Sequence, residues 1–375
     1  MIKNILHINS YYSYYGVPGF YKNFFETQLN YGLNISVYVP LDYKYKIVNS
    51  VDFGRYTTIA KTHRRVDRYF FHVKQRKILN DILHRFNVCD YNIIHAHSLF
   101  TNGYIAYELN KRYGIPYIVA VRDTDLNVFF KRMVHLRGLG NRILKGASKV
   151  VFLSHPYKEA VLDYYVSKSD RKQISDKAIV VPNGIDGFWL KNIYYDRNTK
   201  VTEEIRVIFV GRICKRKNPL ATAKACERLI GDGVPIRFTI VGSIDDWNLF
   251  TRIKQYSFVE HLGVKNKEEL LHIYRDNHIF IMPSLSETFG LVYAEALTQG
   301  LPVIYTKGQG FDGHFNEGEV GYSVRSDSSD DIANRILLAV KNYDELVNRC
   351  VRLCKKFDWE HITNRYIQIY DEVLC

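Results

Sequence analysis

The sequence predicts an α/β protein made of two doubly wound, Rossmann-like domains with parallel sheets. Three observations lead to this. Short apolar, β-rich runs alternate with amphipathic helical patterns from end to end, as expected for parallel strands covered on both faces by crossover helices. The chain has 375 residues, too many for one ordinary core and suited to two domains. One polar stretch, DGFWLKNIYYDRNTKVTEE at 186–204, interrupts the alternation and reads as a linker. The expected division is residues 1–185, a linker at 186–204, a second domain at 205–356 and a final helix at 357–375.

In the first half, strands are expected at IKNILHINS, ISVYVP, YNIIHAHS, PYIVAV, KVVFLS and AIVVP. Helices are expected at KILNDILHRFN and at NGYIAYELNKRYG, where Gly closes the end. The second half gives strands IRVIFVG, IRFTIVG, IFIMPS and PVIYT, with helices at NPLATAKACERLIGDG, EELLHIYRDN and around SETFGLVYAEALTQG. The tail, FDWEHITNRYIQIYDEVLC, is one more amphipathic helix with no strand after it. In doubly wound sheets ligands bind beyond the carboxyl ends of the strands, so the loops that follow strands are where chemistry is expected.

Hydrophobic residues make up 46% and charged residues 24% of the chain, the balance of a globular enzyme. No apolar run approaches the roughly 18 residues that span a bilayer. The amino-terminal stretch MIKNILHINSYYSYYG has too short an apolar core for a signal peptide, so a cytoplasmic protein is expected. The six cysteines show no metal-type spacing and read as reduced thiols. The net charge of +13 is unevenly placed: residues 1–177 hold 27 Lys and Arg against 13 Asp and Glu, and the remainder is nearly balanced. Such asymmetry points to a polyanionic partner, a membrane surface or nucleic acid, or else to a basic, solvated surface.

Two stretches carry the chemistry. In IRVIFVGRICKRKNP (205–219) a buried strand ends at Gly211, Arg212 and Lys215 to Lys217 follow, and a helix opens near Asn218-Pro219. Cations at a strand's exit beside a helix amino end suit a phosphate, although a basic surface turn is an equal reading. In SETFGLVYAEALTQG (286–300) a helix begins near Gly290, with Glu287 just before it and Glu295 among apolar neighbours. A desolvated carboxylate needs donors, and sugar or ribose hydroxyls are suitable ones. A metal site or an acid/base pair is a further option, but no third ligand or His lies nearby.

GRICKRK followed by ETFGLVYAE resembles the retaining glycosyltransferases of the GT-B fold, in the large family that includes sucrose synthase-like and bacterial cell-surface polysaccharide enzymes. The strand-Gly-Arg, the Lys five residues later and the Glu-x7-Glu at a loop-to-helix junction occur in order at family spacing. VVPNGID (180–186), HAHSLFTNG and the final FDWEHITNRYIQIY also match, so the likeness covers nearly the whole chain. The resemblance implies two Rossmann-like domains facing a cleft, with the last helix returning toward the first domain. It implies that Arg212 and Lys217 grip the diphosphate of a UDP- or GDP-sugar, helped by backbone amides near Phe289, Gly290 and Leu291. Glu287 would then bond the transferred sugar and Glu295 the ribose. Retention in this family is described as same-face attack assisted by the leaving phosphate, so neither a protein nucleophile nor a metal or other cofactor is expected. The Asp pairs at 245–246 and 330–331 read as helix starts.

The first domain is expected to hold the receiving glycan. By the resemblance, Gly16 and Gly19 lie in the turn after the first strand, contacting donor phosphates or the receiving glycan, although the usual adjacent Gly-Gly is absent. His97 is a candidate substrate contact or a strand-end polar residue. Arg122 stands where many relatives have a Thr-x-His, with Asp123 behind it to orient it or to accept a proton. The stretch VFFKRMVHLRGLGNRILKG (128–146) interleaves apolar residues with Lys131, Arg132, Arg137 and Arg142, and KTHRRVDRYFFHVKQRK (61–77) carries seven Lys or Arg. Basic residues beside exposed aromatics suit an anionic membrane at the inner face of the cell, which fits a lipid-linked glycan. An ordinary helix with its charged side in water is the plainer alternative. No nucleic-acid motif is present. A same-fold epimerase or phosphorylase and a basic nucleic-acid-binding protein are the rival readings, and the absence of Gly-x-Gly-x-x-Gly after a strand argues against a dinucleotide oxidoreductase.

Overall fold

A computed structural model describes residues 3–12, 21–46, 52–198, 200–201 and 203–375. The chain divides into two compact units: residues 1–153, 157–184 and 359–375 form one, and residues 154–156 and 185–358 the other.

The first unit runs β1 (Asn4–Ile8), α1 (Tyr21–Asn30), β2 (Asn34–Asp42), β3 (Thr57–His63), α2 (Phe71–Arg85), β4 (Ile93–Ala96), α3 (Thr101–Tyr113), β5 (Tyr117–Val121), α4 (Arg137–Gly146), β6 (Lys149–Phe152), α5 (His155–Tyr164), α6 (Lys168–Asp176) and β7 (Ala178–Val180). The strands form one parallel sheet in the order β3-β2-β1-β4-β5-β6-β7, so the winding reverses between β1 and β4. Runs such as Tyr117–Val121 are buried along their whole length because helices cover both faces. Helix α3 stops at Gly114, whose φ of 72° lets it close the last turn by donating to the Asn110 carbonyl.

The second unit runs α7 (Gly187–Lys191), β8 (Ile205–Val210), α8 (Pro219–Gly231), β9 (Ile236–Val241), α9 (Trp247–Lys254), β10 (Val259–His261), α10 (Lys267–Arg275), β11 (Ile279–Met282), α11 (Leu291–Thr298), β12 (Val303–Thr306), β13 (Gly321–Val324), α12 (Ser329–Lys341) and α13 (Tyr343–Leu353). Its parallel sheet has the order β10-β9-β8-β11-β12-β13, reversing between β8 and β11. Both units are therefore doubly wound α/β sheets, as the alternation predicts.

Two departures have physical causes. Strands β3, β10 and β13 are absent from the sequence reading. All three lie at sheet edges, where a strand pairs on one side only and needs no continuous apolar run. Segment 186–204 is also more than a tether. Asp186 caps α7 by accepting from the Phe188 amide, and Trp189 is buried. Arg197 is buried too, its guanidinium donating to the carbonyls of Gln299 (2.7 Å), Asn277 (2.6 Å) and Tyr274 (2.9 Å). A cation satisfying carbonyls around the carboxyl end of α10 anchors this polar stretch to the second unit.

The last helix, α14 (Trp359–Leu374), belongs to the first unit. Trp359, Ile362, Tyr366, Ile369 and Tyr370, spaced three or four apart, are buried against α1 and the sheet. Ile369→Ala is therefore expected to lower unfolding free energy by about 2–5 kcal/mol in urea titrations, whereas Tyr164→Ala, at a side chain 79% exposed, is expected to change it by no more than about 0.5 kcal/mol.

Candidate functional site

In the second unit the loops after β8 and β11 leave adjacent strands at the winding reversal, so the topology brings them together. Backbone and side chains then lock them. The Leu285 amide donates to the Arg216 carbonyl at 2.8 Å, the Arg216 guanidinium to the Ser286 carbonyl at 2.8 Å, and the Asn218 amide group to the Pro283 carbonyl at 3.1 Å. Asn218 takes a left-handed conformation (φ 58°) just before Pro219 opens α8. Lys217 and Glu287 meet as an ion pair, with only 13% and 10% of their side-chain surfaces exposed. Lys217 Nζ also lies 3.5 Å from Met282 Sδ.

A third loop fixes Glu287 from the other side. Its amide donates to Gln309 Oε1 at 3.0 Å and its carbonyl accepts from the Gly310 amide at 2.8 Å. A Cβ at Gly310 would fall 2.2 Å from the Thr288 carbonyl carbon, so only glycine permits this approach. Gly290 (φ 79°) then turns the chain into α11, whose amino end has no capping side chain. The first-turn N–H groups and the positive end of the helix dipole thus sit beside the Lys217–Glu287 pair, an arrangement suited to an anion. Leu291 opens the helix. The Phe289 ring is buried against His314 (5.2 Å) and Phe357 (5.4 Å), so this residue can offer a ligand only its backbone.

The structure brings Lys217 and Glu287 together but pairs Arg212 elsewhere. Arg212 is exposed and donates from Nη1 to Asp245 Oδ2 at 3.0 Å. Its neighbour Asp246 caps α9, as does Ser328 for α12 just before Asp330 and Asp331. Asp245 escapes sequence reasoning because an Asp-Asp at a helix start is explained by capping alone.

Glu295, on α11, is half-buried. Crowding by protein atoms pushes its carboxyl up from the ordinary range to about 7, and Asp186 adds to the rise. Lys267, which forms an ion pair with Asp186 at 2.5 Å, and the Trp189 indole oppose it. Glu295 is therefore a carboxyl group poised near neutrality, with the Trp189 indole as one hydrogen-bond partner.

In the first unit the loops after β4 and β5 are organised by a residue that the sequence reading left in the background. Buried Asp125 accepts from the amides of Leu99 (2.9 Å), Phe100 (3.0 Å) and Arg122 (2.8 Å). Burial raises its carboxyl to about 6 against the pull of those three donors. The half-buried Arg122 donates to the His97 carbonyl (3.2 Å) and Asn183 Oδ1 (3.3 Å). Asp123 does not orient Arg122: it accepts from Asn127 (2.6 Å) and from the Tyr157 hydroxyl (3.0 Å). His97 is buried, and burial, followed by the neighbouring His95, His7 and Arg122, holds it well below the ordinary imidazole range and therefore neutral. Gly16 and Gly19 lie outside the described residues.

Among the described residues one trio, His7, His95 and His97, is spaced closely enough to hold a metal ion. Two of its nitrogens, His7 Nδ1 and His97 Nε2, are 3.0 Å apart and share a hydrogen bond, which accounts for their approach without an ion.

The basic stretch at 128–146 is less of a surface than its pattern suggests. Phe130, Leu136 and Leu139 are buried, and Arg137 is half-buried, donating to the Phe130 carbonyl at 2.7 Å. Lys131, Arg132 and Arg142 are exposed. Segment 61–77, in contrast, exposes Val66, Tyr69, Phe70 and Val73 beside Arg64, Arg65 and Arg68. With Tyr43, Lys44 and Lys77 it lines a groove of about 1100 Å³.

Residues 191–357 match the family model for glycosyl transferases group 1, and residues 40–187 match that for glycosyltransferase family 4. The two matches, both to glycosyltransferase models, follow one another along most of the chain. The chain is 23% identical over 350 residues to an uncharacterised glycosyltransferase of Methanocaldococcus jannaschii, spanning 87% of this chain and 86% of that one. It is 30% identical over 181 residues to a D-inositol 3-phosphate glycosyltransferase of Rhodococcus erythropolis, spanning 44% and 41%. Among solved structures its fold is similar to sucrose-phosphate synthase from Thermosynechococcus elongatus (TM-score 0.75, 17% identity, 99% and 98% covered). It is also similar to Anabaena HepE in complex with UDP and glucose (TM-score 0.68, 14% identity, 99% and 100% covered).

The raised Glu295 fixes a sign for its substitution. The proton is bound more tightly in the folded protein, so ionising Glu295 costs the wild type stability from about pH 4.5 upward, and fully above about pH 7. Glu295→Gln removes that cost. Its melting temperature, measured without ligand, is expected to exceed the wild type's above pH 7 and to converge with it below pH 4.5.

Proposed function

We propose that this protein transfers a sugar, with retention and without a metal, from a UDP- or GDP-sugar to a glycan, most simply a lipid-linked one at the inner face of the cell membrane. The observation that carries the donor half is the Lys217–Glu287 pair set beside the uncapped amino end of α11. It places a cation, N–H donors and a carboxylate in one spot, which a sugar diphosphate needs at its phosphates and its hydroxyls. The names of the relatives and structural neighbours, a D-inositol 3-phosphate glycosyltransferase and a HepE complex with UDP, agree with it.

In this reading the bond between the anomeric carbon and the diphosphate oxygen breaks as the bond to the attacking hydroxyl oxygen forms on the same face. The hydroxyl proton passes to the departing phosphate oxygen. Negative charge grows on the diphosphate, where Lys217, Arg212 and the α11 dipole stabilise it. Glu287 holds sugar hydroxyls, and Glu295 accepts from the ribose, which favours its ionised form, so donor affinity rises as pH passes through about 7. His97 and Arg122 contact the receiving glycan.

A thermal-shift panel of nucleotide sugars, followed by transfer assays with the stabilising one, tests the reading. UDP- or GDP-sugars are expected to raise the melting temperature without added metal, and no response to any would overturn the donor assignment. Arg212→Ala, at an exposed site, is expected to fold normally and to lose about 10²-fold in kcat.

The membrane half rests on residues 61–77, where exposed Tyr69 and Phe70 flank Arg64, Arg65 and Arg68. Replacing those three arginines by Ser is expected to reduce co-sedimentation with phosphatidylserine vesicles and to leave binding to neutral vesicles unchanged. Unaltered co-sedimentation would remove the membrane from the proposal.

A further inference from the structure

Beneath the loop after β4 lies a chain of buried polar side chains that the donor site does not use. His7 on β1 pairs in register with His95 on β4, and His97 follows two residues later on the same face of the sheet. His7, His95 and Gln28 are fully buried, and His97 is 1% exposed. His97 Nε2 lies 3.0 Å from His7 Nδ1, and His7 Nε2 lies 3.2 Å from Gln28 Oε1. On the far side, the Tyr370 hydroxyl lies 2.9 Å from His95 Nδ1 and 3.5 Å from Gln28 Oε1. The His95 and His97 rings stack with centroids 4.2 Å apart.

The protons in this chain follow from the chemistry of its end. An amide oxygen only accepts, so His7 donates to Gln28 from Nε2. A neutral imidazole carries one proton, so His7 Nδ1 is a lone pair, and His97 must donate to it from Nε2. His97 Nδ1 is then also a lone pair. That atom is buried and has no hydrogen-bond partner. A buried acceptor with nothing to accept costs free energy and is normally satisfied. His97 lines a small recess with Tyr21, Arg122, Asn183, Trp359 and Tyr366 at the carboxyl edge of the first sheet, where ligands of such sheets bind.

We propose that His7 and Gln28 are positioning residues that fix His97 as its Nε2–H tautomer, so that Nδ1 is held out as a hydrogen-bond acceptor to a hydroxyl of the sugar substrate. Arg122, which lines the same recess and is fixed to the His97 carbonyl and to Asn183, supplies donors there. One hydroxyl can thus give its proton to His97 and receive from Arg122. This pairing rejects a substrate lacking that hydroxyl, because Nδ1 would stay buried and unpaired. The proposal rests on the transferase reading for the identity of the ligand, but the tautomer itself belongs to the free protein.

The experiment is long-range ¹H–¹⁵N correlation of the histidine rings in the full chain, without ligand, followed by transfer kinetics. His97 is expected to be protonated at Nε2 and not at Nδ1. Gln28→Glu, which keeps an oxygen facing His7, is expected to preserve that pattern, and Gln28→Leu to give a mixture of His97 tautomers. In the transfer assay Gln28→Leu is expected to raise KM for the receiving sugar about tenfold with KM for the nucleotide sugar unchanged, and Gln28→Glu to restore it. A proton on His97 Nδ1 in the wild type, equal tautomers in wild type and Gln28→Leu, or stoichiometric zinc bound by His7, His95 and His97 would overturn the proposal. Absence of any transfer by the wild type would count against the functional reading alone, since the ring spectra decide the tautomer without it.

Discussion

The second unit depends on how a carboxylate and an ammonium group are kept together away from water. Lys217 and Glu287 come from loops 70 residues apart in sequence, and each would be strongly disfavoured in its place without the other. Their pairing obliges the loops after β8 and β11 to arrive in one arrangement. The bonds that the Arg216 carbonyl and guanidinium make to Leu285 and Ser286, and those of Gln309 and Gly310 to Glu287, accompany it. Such a pair contributes little net stability, because desolvation offsets most of the attraction. What it fixes is position. Both groups retain unused hydrogen-bonding capacity at the edge of the sheet where α11 begins.

The same device recurs in the first unit, where backbone amides supply most of the donors. Asp125 gathers three amides from two loops, and Asp67 accepts from the Arg64 amide at 2.8 Å and from Lys77 at 2.6 Å. In each case a short acidic side chain replaces regular secondary structure as the organiser of a loop. That gives the neighbouring residues a rigid base: the half-buried Arg122 in one case, the exposed Tyr69 and Phe70 in the other.

Much of this was legible in the sequence. Central strands such as Ile205–Val210 and Ile279–Met282 are continuous apolar runs because both their faces are covered. The helix starts at Pro219 and Leu291 are marked by proline and glycine chemistry. What escaped was whatever depends on a partner distant in sequence. Edge strands β3, β10 and β13 carry no strong pattern. Asp245 looks like a cap until Arg212 is seen beside it. Phe129 and Phe130 look like a surface feature until α3 and α4 are packed around them: Phe100 and Phe129 stack at 4.6 Å. Glu295 stands out in the sequence by its apolar neighbours, but Trp189 and Asp186 beside it come from the stretch that reads as a linker, and Lys267 from the start of α10.

The place of α14 in the chain bears on how the protein is made. The helix that shields α1, His95 and that side of the first sheet leaves the ribosome only after the whole second unit. Until residues 359–374 emerge, Phe24, Ile362's partners on the sheet and the histidine layer are open to water on a nascent chain whose second unit already has every strand it requires. Vectorial synthesis therefore lets the later-encoded unit complete itself first and leaves the earlier one waiting for a segment more than 170 residues downstream of β7. A translation product that stops before residue 359 would retain a finished second unit and a sticky, unfinished first one, a natural substrate for chaperones and proteases.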